Sequence, residues 1–235
     1  MRVKLQPAFI LHSRPYRDSS QILDVLTAEY GRITMVVKGS RRRQRGGSTA
    51  AILQPFIPLL LSFSGRSEMK TVTASEVAGS PRTPGGARLF SGLYLNELLV
   101  RLLHRHDPHA ELFLAYGNAL EALKNEEAVG EVLRRFEFTL LRELGFGFEL
   151  SSDGRSGQAI CTDLMYRFDS EYGLVLADRA VAAGNPVFAG GDLLAMAAGE
   201  WGEPVKRTAK RLLRQALAGH LGDAPLKSRD LFRRV

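Results

Sequence analysis

A single cysteine, Cys161, is all the thiol chemistry this 235-residue chain carries. It excludes an internal disulfide, and without a C-x-x-C pair the sequence signature of a zinc ribbon is missing too. Long apolar runs are also absent. The most apolar window, AILQPFIPLLLSF, is too short and too rich in proline to span a bilayer, and the opening MRVKLQPAF has no charged stretch leading into an apolar one. The expectation is a soluble, unsecreted chain in a reducing cytoplasm.

Recognisable catalytic patterns are equally scarce. GFGF at Gly145 to Phe148 is a fragment of a phosphate-loop pattern, but it follows a helical segment and no lysine-serine pair comes after it. Ser67 and Lys70 form S-x-x-K, yet that nucleophile belongs at a helix N-terminus, and here the motif runs into the strand-like EMKTVTASE. In HRHDPH, His104, His106 and His109 straddle a helix end and a proline, which reads as an inter-helix turn and not as a metal-ligand set. The acids are interleaved with bases, as on solvated faces, and no pair of carboxylates stands out. The sequence therefore predicts no enzyme, no metal and no cofactor.

What the chain has in quantity is positive charge. The formal net charge is +7 and the isoelectric point about 9.8, while 45% of the residues are apolar, enough for a real core in one large domain or two smaller ones. Such a balance suits an acidic partner: nucleic acid, anionic lipid or an acidic protein segment. The cations are clustered. Arg14 and Arg17 lie in HSRPYRDSS, and VVKGSRRRQRGG puts Lys38, Arg41, Arg42, Arg43 and Arg45 into twelve positions with no acid. A helix face carries Lys206, Arg207, Lys210, Arg211 and Arg214 over an arc of about 140°, and Lys227 and Arg229 follow in LKSRDLFRR. A lone charge run is commonly a solvated loop; four clusters, one flanked by glycines that let backbone approach a polyanion, point to phosphate contacts.

Texture changes once, near residue 80. Before it, FILHS, SQILDVLT, GRITMVVKG, LLLSF and EMKTVTASE are short β-rich runs broken by Gly, Ser and Pro. In GRITMVVK, Ile33, Met35 and Val37 share one face and Arg32, Thr34 and Lys38 the other, the period of a half-buried strand. Five strands in under eighty residues have the size of an OB-fold barrel. GSPRTPGGA reads as a connection. Beyond it, Leu89 to Leu103, Leu112 to Leu123 and Val129 to Leu144 show helical spacing, the last closed by Gly145. Residues 146–190 are Gly-rich and polar with room for a small β-ribbon, and helix returns from GGDLLAMAAGE to EPVKRTAKRLLRQALAGHLG. The predicted class is α+β: an OB-fold barrel at 1–80, then a mainly helical domain at 81–235 with an irregular insertion at about 146–190. Phe9 and Tyr16 lie near the basic segments, open to either base stacking or core.

The motifs FILHSRPYRDSSQILDVLTAEYGRITMVVKGSRRR, LQPFIPLLLSFSGRSEMKTV, LYLNELL, LRRFEFTLLRELGFG and PLKSRDLFRR, in this order over nearly the whole chain, resemble the RecO family of recombinational DNA-repair proteins. The resemblance implies a DNA-binding recombination mediator without turnover. It would bind single- and double-stranded DNA, anneal complementary strands and help RecA replace SSB in the RecFOR pathway. Its implied partners are DNA, RecR and the acidic C-terminal tail of SSB, with a nucleoid-associated location and no membrane. Many members carry a four-cysteine zinc site in the region corresponding to about 150–180; with Cys161 alone there, this chain resembles the zinc-free branch. For the SSB tail, an acidic peptide with an apolar end, the family's helical domain points to Arg134 and Arg135 beside Leu112, Phe113, Leu141 and Leu144, residues that a helical core would use as readily. Two other classes share parts of the pattern: a general OB-fold nucleic-acid chaperone, acting on RNA or DNA, and a recruitment scaffold that does not bind DNA.

Overall fold

The computed structural model describes residues 1–40, 51–177 and 186–231. Its first five strands are β1 Arg2–Tyr16, β2 Ser20–Thr27, β3 Gly31–Val37, β4 Leu59–Ser64 and β5 Lys70–Val77, and they close into a barrel of order β1-β2-β3-β5-β4. β1 is long enough to serve two neighbours. Its first half pairs with β4 and its second with β2, with register shifts between Val3 and Gln6 and between Ile10 and His12 that bend the strand around the barrel. The parallel pairing of β3 with β5 completes the closure. Alternation sorts the side chains: Ile33, Met35 and Val37 point inward to Ile10, Leu23, Leu61 and Phe63, as their period predicted.

Three helices follow: α1 Arg88–Leu102, α2 Ala110–Lys124 and α3 Val129–Glu143. Contacts also join α1 and α2 to the barrel. One compact unit comprises Met1–Val129 together with Pro225–Val235, and the other Gly130–Ala224. The reason is visible in β1, whose outer side packs against α1 and α2. Phe9 stands 5.4 Å from the ring of Phe113 and 5.2 Å from that of Tyr116. Beneath them the Asn96 amide donates to the Leu11 carbonyl at 2.9 Å and accepts from the Tyr116 hydroxyl at 2.6 Å. Burial pushes the Tyr116 phenol far above its ordinary pKa, so it stays a donor. Phe9 is thereby spent on packing.

The turn between α1 and α2, where the three histidines lie, also locks onto the barrel. Arg32 donates from Nε to the Leu103 carbonyl at 3.1 Å and accepts at its own carbonyl from the His106 amide at 3.0 Å. A Cβ on Gly31, whose φ is +64°, would lie 1.9 Å from the Asp107 carbonyl oxygen, so only glycine fits. At the end of the chain, α6 Ser228–Leu231 returns to α1. The Glu97 carboxylate accepts from the Lys227 and Ser228 amides, both at 2.8 Å, and from the Ser228 hydroxyl at 2.6 Å.

The second unit joins α3 to a three-stranded sheet of order β7-β6-β8, from β6 Met165–Asp169, β7 Gly173–Leu176 and β8 Val187–Ala189, and to helices α4 Gly190–Ala197 and α5 Glu203–Leu221. Its core gathers Tyr166, Leu174, Phe188, Leu193, Ala209 and Leu212. Asp153 pins the loop before β6. Its carboxylate accepts from the amides of Arg155 at 2.9 Å, Ser156 at 2.8 Å and Leu176 at 2.6 Å. Burial alone would raise the Asp153 pKa; the three donated N–H groups outweigh it and hold the carboxyl below its ordinary range.

Candidate nucleic-acid interface

The strand order of the barrel brings two turns together that are far apart in sequence. One joins β1 to β2 through Arg17, Asp18 and Ser19; the other joins β4 to β5 through residues 65–69. Between them a cleft of about 670 Å³ runs over the outer face of β2 and β3, lined by Tyr16, Arg17, Ser19, Lys38, Ser67 and Met69 among others. Register puts these groups side by side: Tyr16 opposes Ser20, Arg14 opposes Ile22, and Ile22 in turn opposes Val36, so the even-numbered positions of β2 and β3 share the outward face while Leu23, Val25, Ile33, Met35 and Val37 fill the core. Arg14, Arg17 and Lys38 are all exposed on this side of the barrel.

Local chemistry fixes the cleft's two lips. Arg17 takes a left-handed conformation, φ +52°, which costs an L-residue about 1 kcal/mol and makes the three-residue turn tight. Its guanidinium lies 5.1 Å from the centre of the Tyr16 ring, so a cation and an aromatic face are presented together. On the opposite lip Lys70 is buried and donates its ammonium to the Ser67 carbonyl at 2.6 Å, while the Ser67 hydroxyl donates to the Met69 carbonyl at 2.8 Å. The S-x-x-K pair is thus the clamp of a turn. As lining of a groove, Ser19, Ser67, Met69 and Thr71 escaped the sequence reading, because their only signal for that is position in the strand order.

The other sequence-derived cations are distributed as follows. Arg41, Arg42, Arg43 and Arg45 lie outside the described residues. On α5, Val205, Ala209, Leu212, Leu213, Ala216 and Leu217 are buried and Arg207, Lys210, Arg211 and Arg214 exposed, so the helix is core on one face and cationic on the other. Lys206 bonds to Glu203 at 2.9 Å, a contact that holds the Glu203 carboxyl below its ordinary range, and Arg211 lies 5.6 Å from the Phe188 ring. Lys227 and Arg229 belong to the segment tied to Glu97, Lys227 exposed and Arg229 half-buried.

The six residues considered for an acidic peptide fall in both units. Leu112 in the first unit and Leu141 in the second are buried core positions, and Phe113 packs on Phe9. The buried Arg134 turns its guanidinium to the buried Glu137 at 2.6 Å, while the exposed Arg135 reaches Glu131 at 2.5 Å; Leu144 is half-buried. Among the described residues no three His, Cys, Asp or Glu side chains converge as metal ligands, and no helix is long and apolar enough to cross a membrane.

A closed five-stranded barrel of this order, with a basic groove between its β1–β2 and β4–β5 turns, defines an OB-fold protein. Comparison with known proteins makes the assignment more specific. The family model described as recombination protein O N terminal matches residues 1–81, and that described as recombination protein O C terminal matches 85–230. The DNA repair protein RecO of Stutzerimonas stutzeri is 44% identical over 228 residues, covering 97% of this chain and 92% of that protein. Its namesake in Pseudomonas aeruginosa is 44% identical over 229 residues, 97% and 94% of the two chains, and that of Haemophilus influenzae 40% over 233 residues, 99% and 97%. The chain belongs to the RecO family of DNA repair and recombination proteins.

Proposed function

We propose that this protein is a recombination mediator that binds single- and double-stranded DNA through its phosphates, anneals complementary strands and, with RecR, helps RecA take over strands coated by SSB. It acts without turnover, in the cytoplasm at the nucleoid. The observation that carries the reading is the groove between the β1–β2 and β4–β5 turns, which places Arg17, Lys38 and Tyr16 on the face where OB-folds take oligonucleotides. Annealing needs two polyanions held close with their repulsion screened and no base gripped, and clustered arginines and lysines supply that. Arg14 is exposed on the same side of the barrel, and Arg41, Arg42, Arg43 and Arg45 follow Lys38 in the sequence; Lys206, Arg207, Lys210, Arg211, Arg214, Lys227 and Arg229 supply further phosphate contacts. The acidic tail of SSB is assigned to the helical part, with the exposed Arg135 as the charged contact.

Salt dependence tests the reading. With about 6–10 phosphate contacts, oligonucleotide affinity falls by about 10³ to 10⁵ between 50 and 200 mM salt. Arg17→Glu with Lys38→Glu removes two contacts, so the slope of log affinity against log salt drops by about 1.8, equivalent to roughly 12-fold over that range. An unchanged slope in the double variant would exclude the groove as the DNA site. For the tail, Arg135→Glu should weaken an SSB tail peptide at constant fold; equal binding removes that contact.

A further inference from the structure

The cations account for only part of the barrel groove. Its two lips also carry apolar groups, the Tyr16 ring beside the β1–β2 turn and the Met69 side chain in the β4–β5 turn. Tyr16 is half-buried and Met69 is 38% exposed, so a ligand in the cleft can reach both. The floor between them holds Val36 and Thr71, which pair across β3 and β5, and no carboxylate is among the described lining residues. At about 670 Å³ the cleft falls within the range of about 300–1,000 Å³ that small-molecule sites occupy.

The Tyr16 ring is not spent on packing, unlike those of Tyr30 and Tyr116. Tyr30 meets Phe63 edge-on with ring centres 5.7 Å apart and Tyr116 meets Phe9 at 5.2 Å, whereas Tyr16 has no ring partner among the described residues. Its contact is the Arg17 guanidinium, 5.1 Å from the ring centre. The residue opposite it on β2 is Ser20, too small to cover the ring. Met69 is kept at its lip by the backbone of its turn: its carbonyl accepts from the Ser67 hydroxyl at 2.8 Å, and the Ser67 carbonyl accepts from the buried Lys70 at 2.6 Å. An aromatic ring and a polarisable thioether across an uncharged floor suit a flat group with apolar faces, and the exposed Arg17 and Lys38 require that group to be carried on an anion.

We propose that Tyr16 and Met69 form the walls of a slot for one unpaired nucleobase, so that the groove holds a single strand by a base face as well as by phosphates and releases it as it pairs. The proposal rests on the groove being the DNA site and adds what the site distinguishes. Every base has a π face, so a stack on Tyr16 accepts any sequence and leaves the pairing edge of the base free to meet its complement. In a duplex both faces of each base are already stacked on its neighbours, and entry into the slot would require unstacking. Paired DNA is therefore left with the phosphate contacts alone, and the annealed product binds more weakly than the strands that formed it. Tyr16 and Met69 select the substrate; Arg17 and Lys38 supply attraction to either form.

The test uses the full-length protein and three probes of equal length: oligothymidylate, an abasic strand with the same phosphates, and a duplex. Wild type should bind oligothymidylate about tenfold more tightly than the abasic strand. Tyr16→Ala should remove that difference while leaving its affinity for the abasic strand and the duplex, and the salt slope, as in wild type; Tyr16→Phe, which keeps the ring, should behave as wild type. Equal losses on all three probes, no loss on oligothymidylate, or a Tyr16→Phe variant as weak as Tyr16→Ala overturns the stacking. A second measurement needs no variant: a strand carrying 5-iodouracil, irradiated in complex with wild type, should crosslink to Tyr16 or Met69, and crosslinks confined to other residues count against the slot. Failure of the groove itself reads differently, as an unchanged salt slope in Arg17→Glu with Lys38→Glu; a reduced slope there together with indifference to Tyr16→Ala leaves the groove standing and removes only the slot.

Discussion

Replacing Asp153 by alanine should cost the second unit about 3–5 kcal/mol. Asp153 is 6% exposed and its carboxylate accepts three backbone N–H groups, one of them from Leu176 on β7 at 2.6 Å, so it pins the 151–160 loop to the sheet. A hydrogen bond to a charged group contributes about 1.5–3 kcal/mol, and three that share one carboxylate are less than additive, which brings the total below the simple sum. A domain has only about 5–15 kcal/mol in all, so the loss is large. At about 4–8 °C per kcal/mol for a unit of this size, melting falls by at least 12 °C. The pH dependence gives a second reading. The folded pKa lies below the unfolded value of about 3.9, so the stabilisation is fully present above that value and is lost as pH falls through the depressed folded pKa. Urea unfolding followed at the single Trp201, at pH 7 and in steps down to pH 3, measures both. Asp153→Asn, with one acceptor left and no charge, should fall between wild type and alanine and should lose the part of the acid sensitivity that Asp153 supplies. A cost below 1 kcal/mol for Asp153→Ala, or unchanged acid sensitivity, would refute the reasoning.

Other outcomes follow from the same structure. Gly31→Ala forces a Cβ onto the Asp107 carbonyl in a left-handed position; the first unit should lose more than about 3 kcal/mol or fail to fold, read by the yield of soluble protein and urea midpoint. Tyr116→Phe removes the hydroxyl that bonds Asn96 in a buried site and should cost about 1–3 kcal/mol without changing DNA affinity. Lys70→Met keeps the apolar stem but releases the Ser67 carbonyl; the β4–β5 turn loosens, seen as faster amide exchange at residues 67–69, with a smaller effect on global stability.

The barrel was legible because its strands obey a period of two. Ile33, Met35 and Val37 announced an inward face, and all three are core. The helices α1 to α3 were legible for the same reason at a period of 3.6, with Gly145, φ +80°, ending the third. The packing of α1 and α2 on the barrel was not. The Gly- and Pro-rich stretch at 79–87 has the composition of a linker, but Asn96 and Tyr116 carry hydrogen bonds that tie α1 and α2 to β1, and nothing in either residue's local sequence marks such a partner. Strands of three to five residues, as in the small sheet, are too short to establish a period, and Asp153 looks like any loop aspartate until its three donors are seen. At the candidate site the cations were visible as charge, whereas the serine and methionine of the β4–β5 lip were not, because the barrel's closure alone makes them neighbours of Arg17. Phe9 was equally suited to stacking and to core; the contact with α2 decides for core.

The central claim is that the barrel groove holds DNA while strands pair. Annealing of complementary strands precoated with SSB, followed by a donor and acceptor dye on the two strands, tests it most directly. Wild type should anneal them and Arg17→Glu with Lys38→Glu should slow annealing at least tenfold at about 100 mM salt, the larger part returning when salt is lowered. Annealing by the double variant at the wild-type rate would contradict the claim, and so would a wild-type protein that anneals bare strands but not coated ones.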